Sequence, residues 1–256
     1  IKFQSTDNAI TFSTGTIDLA EGVDLTVDTD AAGGAITIGS IRGTIASSND
    51  TPETVTLDAG AGATAVGAIG ATTEIGSVTI GSAEDGDITL NGAIRANGTV
   101  SLDGDVTLGA DINITTSNDA ISFNHTIDGG QALVLSSGTG TITISDKIGA
   151  ASSGTLTALT INAGNGETSA GSIILSGDIG STSQVGVSGV TKIGNTSTAE
   201  ITFGGDLYRT TGSATYAASG TAPSNQTGSF DMNSGGTGIK FQSTDNAITF
   251  STGTID

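Results

Sequence analysis

A triplet of apolar residues recurs along this chain at offsets of 0, +2 and +6. An offset of two places both side chains on one face of a β-strand, because successive side chains of a strand point to opposite sides. The third apolar residue follows a bend of about three residues and begins the next strand. The clearest copies are Ile88, Leu90 and Ile94; Ile121, Phe123 and Ile127; Ile142, Ile144 and Ile148; Ile173, Leu175 and Ile179; and Ile201, Phe203 and Leu207.

This spacing predicts short strands joined by tight corners around one apolar interior. No stretch carries apolar residues at the i, i+3, i+4 and i+7 spacing of an amphipathic helix. The interval between neighbouring copies is irregular, as expected for coils of about 20 residues that carry loops of varied length. We therefore predict an all-β fold, a coiled parallel β-helix (β-solenoid).

A tandem array of β-sandwiches is the alternative fold. The pairs Asn91-Gly92, Asn97-Gly98 and Asp103-Gly104 are typical of antiparallel hairpin turns. Sandwich domains, however, usually contain longer alternating strands and large core aromatics, and only 4% of these residues are aromatic. Strand length and aromatic content therefore favour the solenoid over the sandwich array.

The chain also repeats itself at its ends. Ile1 to Asp18 reappears without change as Ile239 to Asp256, so one period runs from Ile1 to Gly238. We interpret residues 1–238 as one unit of a tandem array and residues 239–256 as the start of the next identical unit. Two diverged halves, residues 9–119 and 120–246, fill one period. At about 20 residues per coil, a unit would form about twelve coils and measure roughly 55 to 60 Å.

Composition restricts the function classes. The net charge of −19 argues against nucleic acid or anionic lipid as a partner, because both require Lys and Arg to neutralise phosphate. The chain has no cysteine, so its stability must come from aliphatic packing and backbone ladders. No apolar run approaches the ~20 residues of a membrane span.

Several strings resemble the repeats of giant bacterial adhesins of the filamentous haemagglutinin type. They are GDITLNGAI, LDGDVTLGADINITTSND, NHTIDGGQALVLSSGTGTITISDKIG and SATYAASG. The resemblance extends over essentially the whole chain and is one of composition and cadence. It implies a right-handed parallel β-helix, export to the bacterial cell surface, and a role as a stalk or adhesin.

Two acidic corners are candidate Ca²⁺ sites. Asp85-Gly86-Asp87 and Asp103-Gly104-Asp105 lie eighteen residues apart. Carboxylate and carbonyl oxygens stacked at equivalent corners could hold the ion, as in β-rolls built from nine-residue repeats. Neither corner has the full β-roll motif, so Asp-Gly turns are the simpler interpretation. Asp85, Asp87, Asp103 and Asp105 are the predicted ligands if Ca²⁺ binds.

Threonines between inward-pointing neighbours should face outward. A flat threonine array can bind ice or sugars, although threonine is also common in strands for packing reasons. The predicted outward set is Thr11, Thr37, Thr56, Thr79, Thr89, Thr143 and Thr202.

The sequence offers no catalytic arrangement. Hydrolysis of a polysaccharide on a β-helix requires clustered carboxylates and a cationic or aromatic platform for the sugar. The candidate platform residues Arg42, Arg95, Arg209, Tyr208 and Tyr216 are few and scattered, and His125 is the single histidine. No nucleophile triad, phosphate loop or metal cluster can be assembled from these residue types.

We therefore expect a structural protein without enzymatic activity. It would be a repeat of a long extracellular filament or adhesin stalk on a bacterial cell surface, stacked end to end on identical repeats. Other fibres or cell-surface glycans are further possible partners. The alternative is a binding module that uses Ca²⁺ or a Thr/Asn face to bind carbohydrate or a surface.

Overall fold

The computed structural model describes residues 1–44, 51–82, 86–164, 171–218, 228–233, 238–244, 246–251 and 253–255. In these ranges the chain forms strands and no helix. It therefore contains no helix that could cross a membrane within the described residues. The strands are β1 (Lys2–Gln4), β2 (Ile10–Asp18), β3 (Leu25–Asp28), β4 (Ile36–Arg42), β5 (Thr54–Asp58), β6 (Thr64–Ile69), β7 (Ser77–Gly81), β8 (Ile88–Leu90), β9 (Ile94–Ala96), β10 (Val100–Asp103), β11 (Val106–Leu108), β12 (Ile112–Thr116), β13 (Ile121–Phe123), β14 (Ile127–Asp128), β15 (Ala132–Ser136), β16 (Ile142–Ile144), β17 (Ala158–Asn162), β18 (Ser172–Leu175), β19 (Thr191–Asn195), β20 (Glu200–Phe203), β21 (Leu207–Thr210), β22 (Ala214–Ala218), β23 (Ser229–Met232), β24 (Lys240–Ser243), β25 (Ile248–Ser251) and β26 (Thr254–Ile255).

The strands pair in parallel, each with the equivalent strand of the next turn. The predicted parallel β-solenoid is confirmed. The tandem-sandwich alternative is wrong, because a sandwich requires antiparallel pairs within each sheet. The right-handed sense of the coil stays a prediction of the family resemblance.

Each turn visits three faces in a fixed order. The first face is a sheet of eleven strands in the order β1, β3, β5, β7, β10, β13, β16, β18, β20, β23 and β26. The second face contains β8, β11, β14, β21 and β24, joined through single bridges at Ile148 and Ile179. The third face contains β9, β12, β15, β17, β19, β22 and β25.

The earliest turns lack a separate corner between the second and third faces. Strands β2, β4 and β6 run across both faces as single elements. Residues 64–66 of β6 pair with β8 on the second face, whereas Ile69 of the same strand pairs with β9 on the third. The bend between these parts lies at Gly67, which stacks over Gly39 of β4.

The predicted triplets place their side chains as expected. In the copy that begins at Ile88, the first two residues lie on the second face, and Ile94 follows a three-residue corner onto the third. The copy that begins at Ile201 departs from this pattern. Its third residue, Leu207, is only half-buried, and Tyr208 occupies the interior position over Ile179 instead. The interior position is shifted because Tyr208 follows Phe203 by five positions, whereas Ile179 follows Leu175 by four.

Turns are longer than the predicted ~20 residues. On the first face, Val100 pairs with Ile121 and Ile121 pairs with Ile142. The next step is much longer, because Ile142 pairs with Ile173. The extra residues lie in the corners, since the strands remain three to five residues long in this part of the chain. The estimate of twelve coils per unit is therefore wrong, and a unit makes about nine turns.

The stacking of Gly67 on Gly39 gives the first prediction. A Cβ at position 67 would fall inside contact distance of the Gly39 carbonyl oxygen, so Gly67→Ala must displace backbone. We expect it to lower the free energy of unfolding by about 1 to 3 kcal/mol, measured by urea unfolding followed by circular dichroism.

The matched control is Gly130→Ala. A Cβ at position 130 would meet no atom within 4 Å, so this variant should be neutral or slightly stabilising. Equal stability of the two variants would contradict the close stacking of the corner.

Candidate functional site

Among the described residues of the two predicted acidic corners, one pair of aspartates is stacked by the strand pairing. Asp87 and Asp105 each precede paired residues of β8 and β11, so they stack one turn apart at the corner into the second face. Asp103 lies over Gly81 and not over another aspartate, because the connection from β7 to β8 is longer than that from β10 to β11. Asp85 lies outside the described residues.

Protein groups already contact two of these carboxylates. Asp105 Oδ1 accepts hydrogen bonds from the backbone N and Oγ1 of Thr126, at 3.2 and 2.7 Å. Asp103 Oδ1 lies 3.3 Å from His125 Nε2. Within the described ranges, no three His, Cys, Asp or Glu side chains come together closely enough to hold a metal ion. Calcium binding at this corner stays a prediction.

The structure gives several other aspartates a role that the sequence did not reveal. A carboxylate just before a strand, or at its end, accepts a hydrogen bond from a backbone N–H of the next turn. The partners are distant in sequence, so only the register of the ladder shows them. These pairs are Asp24 with Thr54 (2.8 Å), Asp111 with Ala132 (2.9 Å), Asp128 with Ala151 (3.0 Å) and Asp178 with Leu207 (2.9 Å).

Two of these carboxylates, Asp24 and Asp128, have pKa values that are shifted in opposite directions. The backbone N–H of Thr54 lowers the pKa of Asp24, because a hydrogen bond to the ionised form stabilises it. Burial raises the pKa of Asp128 despite the bond from Ala151, and the nearby charges of Asp105 and Asp146 add to the increase. The same hydrogen bond therefore occurs in a solvated and in a partly desolvated setting.

The predicted outward threonines do face outward, but they are divided between two faces. Thr11, Thr37 and Thr89 lie on the second face. Those of the first face belong to a longer hydroxyl column, in which successive turns place one residue directly above another. Its uninterrupted part is Thr26, Thr56, Thr79, Ser101, Ser122 and Thr143.

An uncharged polar groove follows the corner where the third face ends. It has a volume of about 510 Å³ and is lined by amide, hydroxyl and glycine groups. Thr116, Ser136, Asn162 and Asn195 come from four successive turns. The sequence alone does not reveal this groove, because its residues belong to different turns. Such a lining can exchange hydrogen bonds with the hydroxyl groups of a sugar.

The largest side chains gather where the second copy of the repeated segment stacks on the preceding turns. We call this cluster the aromatic seam: Phe203, Tyr208, Tyr216 and Phe230 together with Phe241 and Phe250 of the second copy. Phe241 stacks on Tyr208 with ring centroids 5.1 Å apart, and Phe250 stacks on Tyr216 at 5.0 Å. Edge contacts of 5.0 to 5.4 Å join Phe203 and Phe230 to these rings. Each such ring pair contributes about 0.5 to 1.5 kcal/mol beyond the area it buries.

Two residues considered above as part of a sugar platform lie inside the seam. Tyr208 and Tyr216 are each 1% exposed, so neither ring can stack on an external ligand. Burial raises the pKa of both phenols well above the usual value. The Tyr208 hydroxyl donates to the Leu175 carbonyl at 3.3 Å and accepts from the Gly205 backbone N–H at 3.0 Å.

The bridging carboxylates predict a pH-dependent stability. The pKa of Asp24 is lower in the folded chain than its ordinary 3.8, so its contribution is present above that value and is lost as the pH falls through the folded pKa. Asp24→Asn should therefore reduce stability at neutral pH by less than about 1 kcal/mol. The difference from the parent should shrink as the pH falls from 3.8 through the lower folded pKa, as measured by urea unfolding across pH.

Asp128→Asn is the matched contrast. The pKa of Asp128 is raised, so folding favours its protonated form, and stability is lost as the pH rises from 3.8 through the folded pKa. The amide oxygen can still accept from Ala151, and the cost of burying a charge is removed. This variant should be more stable than the parent at neutral pH and equal to it in acid. A loss of stability at neutral pH would contradict the assignment.

Calcium binding at the acidic corner can be tested by thermal unfolding. Bound Ca²⁺ at 100 times its dissociation constant would stabilise the fold by about 2.7 kcal/mol. The shift in unfolding temperature should disappear in Asp105→Asn and persist in Asp111→Asn, because Asp111 lies at a different corner. If neither Ca²⁺ nor a chelator changes the unfolding temperature, these corners bind no calcium and are hydrogen-bonded turns.

Comparison with known proteins gives no match to this chain among family models, curated proteins or solved structures. Three features of the molecule itself bear on its function. They are the continuous ladder, the aromatic seam, and the two polar surfaces formed by the hydroxyl column of the first face and by the groove.

Proposed function

We propose that this chain is a structural repeat of a long bacterial extracellular filament or adhesin stalk, without catalysis. The observation that carries the proposal is the stacking of the second copy of the repeated segment on the preceding unit. Strands β24, β25 and β26 pair in parallel with β21, β22 and β23, one on each face. The start of a second unit thus continues the ladder of the first.

The packing of that copy supports a fibre that continues further. Met232, Ile239, Phe250 and Ile255 line an apolar cavity of about 350 Å³ that opens above the aromatic seam. In the first copy of the segment, the equivalent phenylalanines are covered on this side. Phe3 lies under Val27, and Phe12 lies under Ile38.

In the proposed array, the rest of the second unit would bring the same valine and isoleucine over the second copy. It would bury the cavity and supply partners to the free edges of β24, β25 and β26. Covered edges matter for a filament, because exposed strand edges promote aggregation. The preferred partner of each unit is therefore an identical unit, stacked end to end.

The surface chemistry supports an extracellular role. A charge of −19 keeps long fibres apart and soluble and disfavours binding to nucleic acid. The cadence shared with filamentous haemagglutinin-like adhesins agrees with a position on the bacterial cell surface. The net charge and the sequence resemblance are arguments for the proposal that do not depend on the packing of the aromatic seam.

A binding module is the second candidate function, and the polar groove is the observation that favours it. Ser136 and Asn162 present uncharged polar side chains in one concave surface. Thr116 and Asn195 also line it, but Thr116 donates to the Asp119 carbonyl, and the Asn195 amide donates to Gly164 and accepts from Ser197. Cell-surface glycans are the ligand class with matching chemistry. Binding of this kind is compatible with a stalk, since the groove lies on the side of the solenoid and the stacking surfaces lie at its ends.

Electron microscopy of a protein with three consecutive units tests the proposal. Turns spaced by about 4.8 Å give a unit of about nine turns a length of roughly 45 Å, shorter than the sequence alone suggested. We expect a smooth rod that lengthens by this amount with each added unit. Beads joined by visible necks would show that units fold separately and would overturn the continuous filament.

A further inference from the structure

The two identical copies of the eighteen-residue segment do not occupy the same faces. In the first copy, β1 lies on the first face and pairs with β3. Residues 10–12 of β2 pair with residues 36–38, which belong to the second face, and residues 16–18 pair with residues 40–42 on the third. The order for the segment is first, second, third.

In the second copy every strand is displaced by one face. Lys240–Ser243, equivalent to β1, pairs with β21 on the second face. Ile248–Ser251 pairs with β22 on the third face, and Thr254–Ile255 pairs with β23 on the first. The order for the same sequence is second, third, first.

The displacement follows from the number of turns in a unit. Strands β1 and β23 are the first and tenth strands of the first face, so nine full turns separate them. The second copy begins one face beyond β23, at β24. One unit, from Ile1 to Gly238, therefore makes nine turns and one third of a turn.

The diverged halves are also displaced by a fraction of a turn, and the step from β2 to β13 does not involve the second copy. The segment AITF that opens the first half lies on the second face in β2, and the equivalent AISF of the second half lies on the first face in β13. The next AITF lies on the third face in β25. Each half advances by four turns and two thirds, so the two halves together give the nine and one third of the unit.

The three faces are interchangeable for physical reasons. Strands of every face turn alternate side chains toward one shared interior of Ile, Val, Leu and Phe. A segment with apolar residues at alternate positions can therefore pack on any face, provided that its neighbour has the same alternation. Ile10 and Phe12 show this, because their copies Ile248 and Phe250 pack on a different face.

We propose that successive units are related by a screw, in which each unit is turned by one face relative to the one before it. The surface that receives the start of a unit is the end of the preceding one, formed by β21, β22 and β23. Three units complete one cycle of the faces. This inference rests on the proposed end-to-end array and adds its rotation.

Residue pairs across the seam distinguish the screw from a stack without rotation. In the screw register, the outward-pointing Thr249 lies over Thr215 of β22. Without rotation, Thr249 would occupy the second face, as its copy Thr11 does, and would lie over Arg209 of β21. Adjacent parallel strands are about 4.8 Å apart, which is within the Cα separation of a disulfide.

Disulfide trapping in the full chain tests the register, and the natural chain has no cysteine to interfere. We expect Thr215→Cys with Thr249→Cys to form a disulfide under mild oxidation, detected by peptide mapping and loss of free thiol. Arg209→Cys with Thr249→Cys should remain reduced. Thr11→Cys with Thr37→Cys is the positive control, because Thr37 lies directly over Thr11 in the next turn of the second face.

Each outcome bears on the screw separately from the filament. A disulfide between positions 209 and 249, or none at either pair in a folded protein whose control pair oxidises, would overturn the rotation. In both cases electron microscopy of three units could still show a continuous rod, so the filament would stand. A beaded appearance would overturn the filament instead.

Discussion

The whole structure depends on the hydrogen-bonded ladder between successive turns. A ladder spacing of about 4.8 Å places each inward side chain directly on the inward side chain of the neighbouring turn. Isoleucine lies on isoleucine from β13 through β16 to β18, and such columns fill a narrow interior without voids. Residues that vary between turns are thereby confined to corners and outward positions, where the acidic residues and the polar groove are found.

The apolar triplets were sufficient to predict the architecture, because their offsets encode both the strand and the corner. Where the spacing changes, the prediction fails: after the Gly204-Gly205 corner, Tyr208 is buried and the predicted Leu207 is only half-buried. Turn length was underestimated because corner residues have no periodic pattern. The bond from Thr54 to Asp24 could not be predicted either, since it joins residues far apart in sequence whose proximity depends on the register.

The acidity of the chain has two separable consequences. As net charge it acts at long range and would keep neighbouring fibres apart in the proposed filament. As individual carboxylates it acts locally, because Asp24, Asp111 and Asp178 each accept a backbone N–H that a corner would otherwise leave to solvent. A residue type that sequence analysis assigns to solvated turns thus also connects one turn to the next.

The displacement of the repeated segment has a consequence for what a fibre presents to its surroundings. Thr11 faces outward from the second face, whereas its copy Thr249 faces outward from the third. In a screw array, a feature on one side of a unit, such as the polar groove, would recur on the next side in the following unit and on the remaining side in the unit after that. Three consecutive units would therefore present the same feature in three directions around the fibre axis, although the groove of a single unit opens to one side.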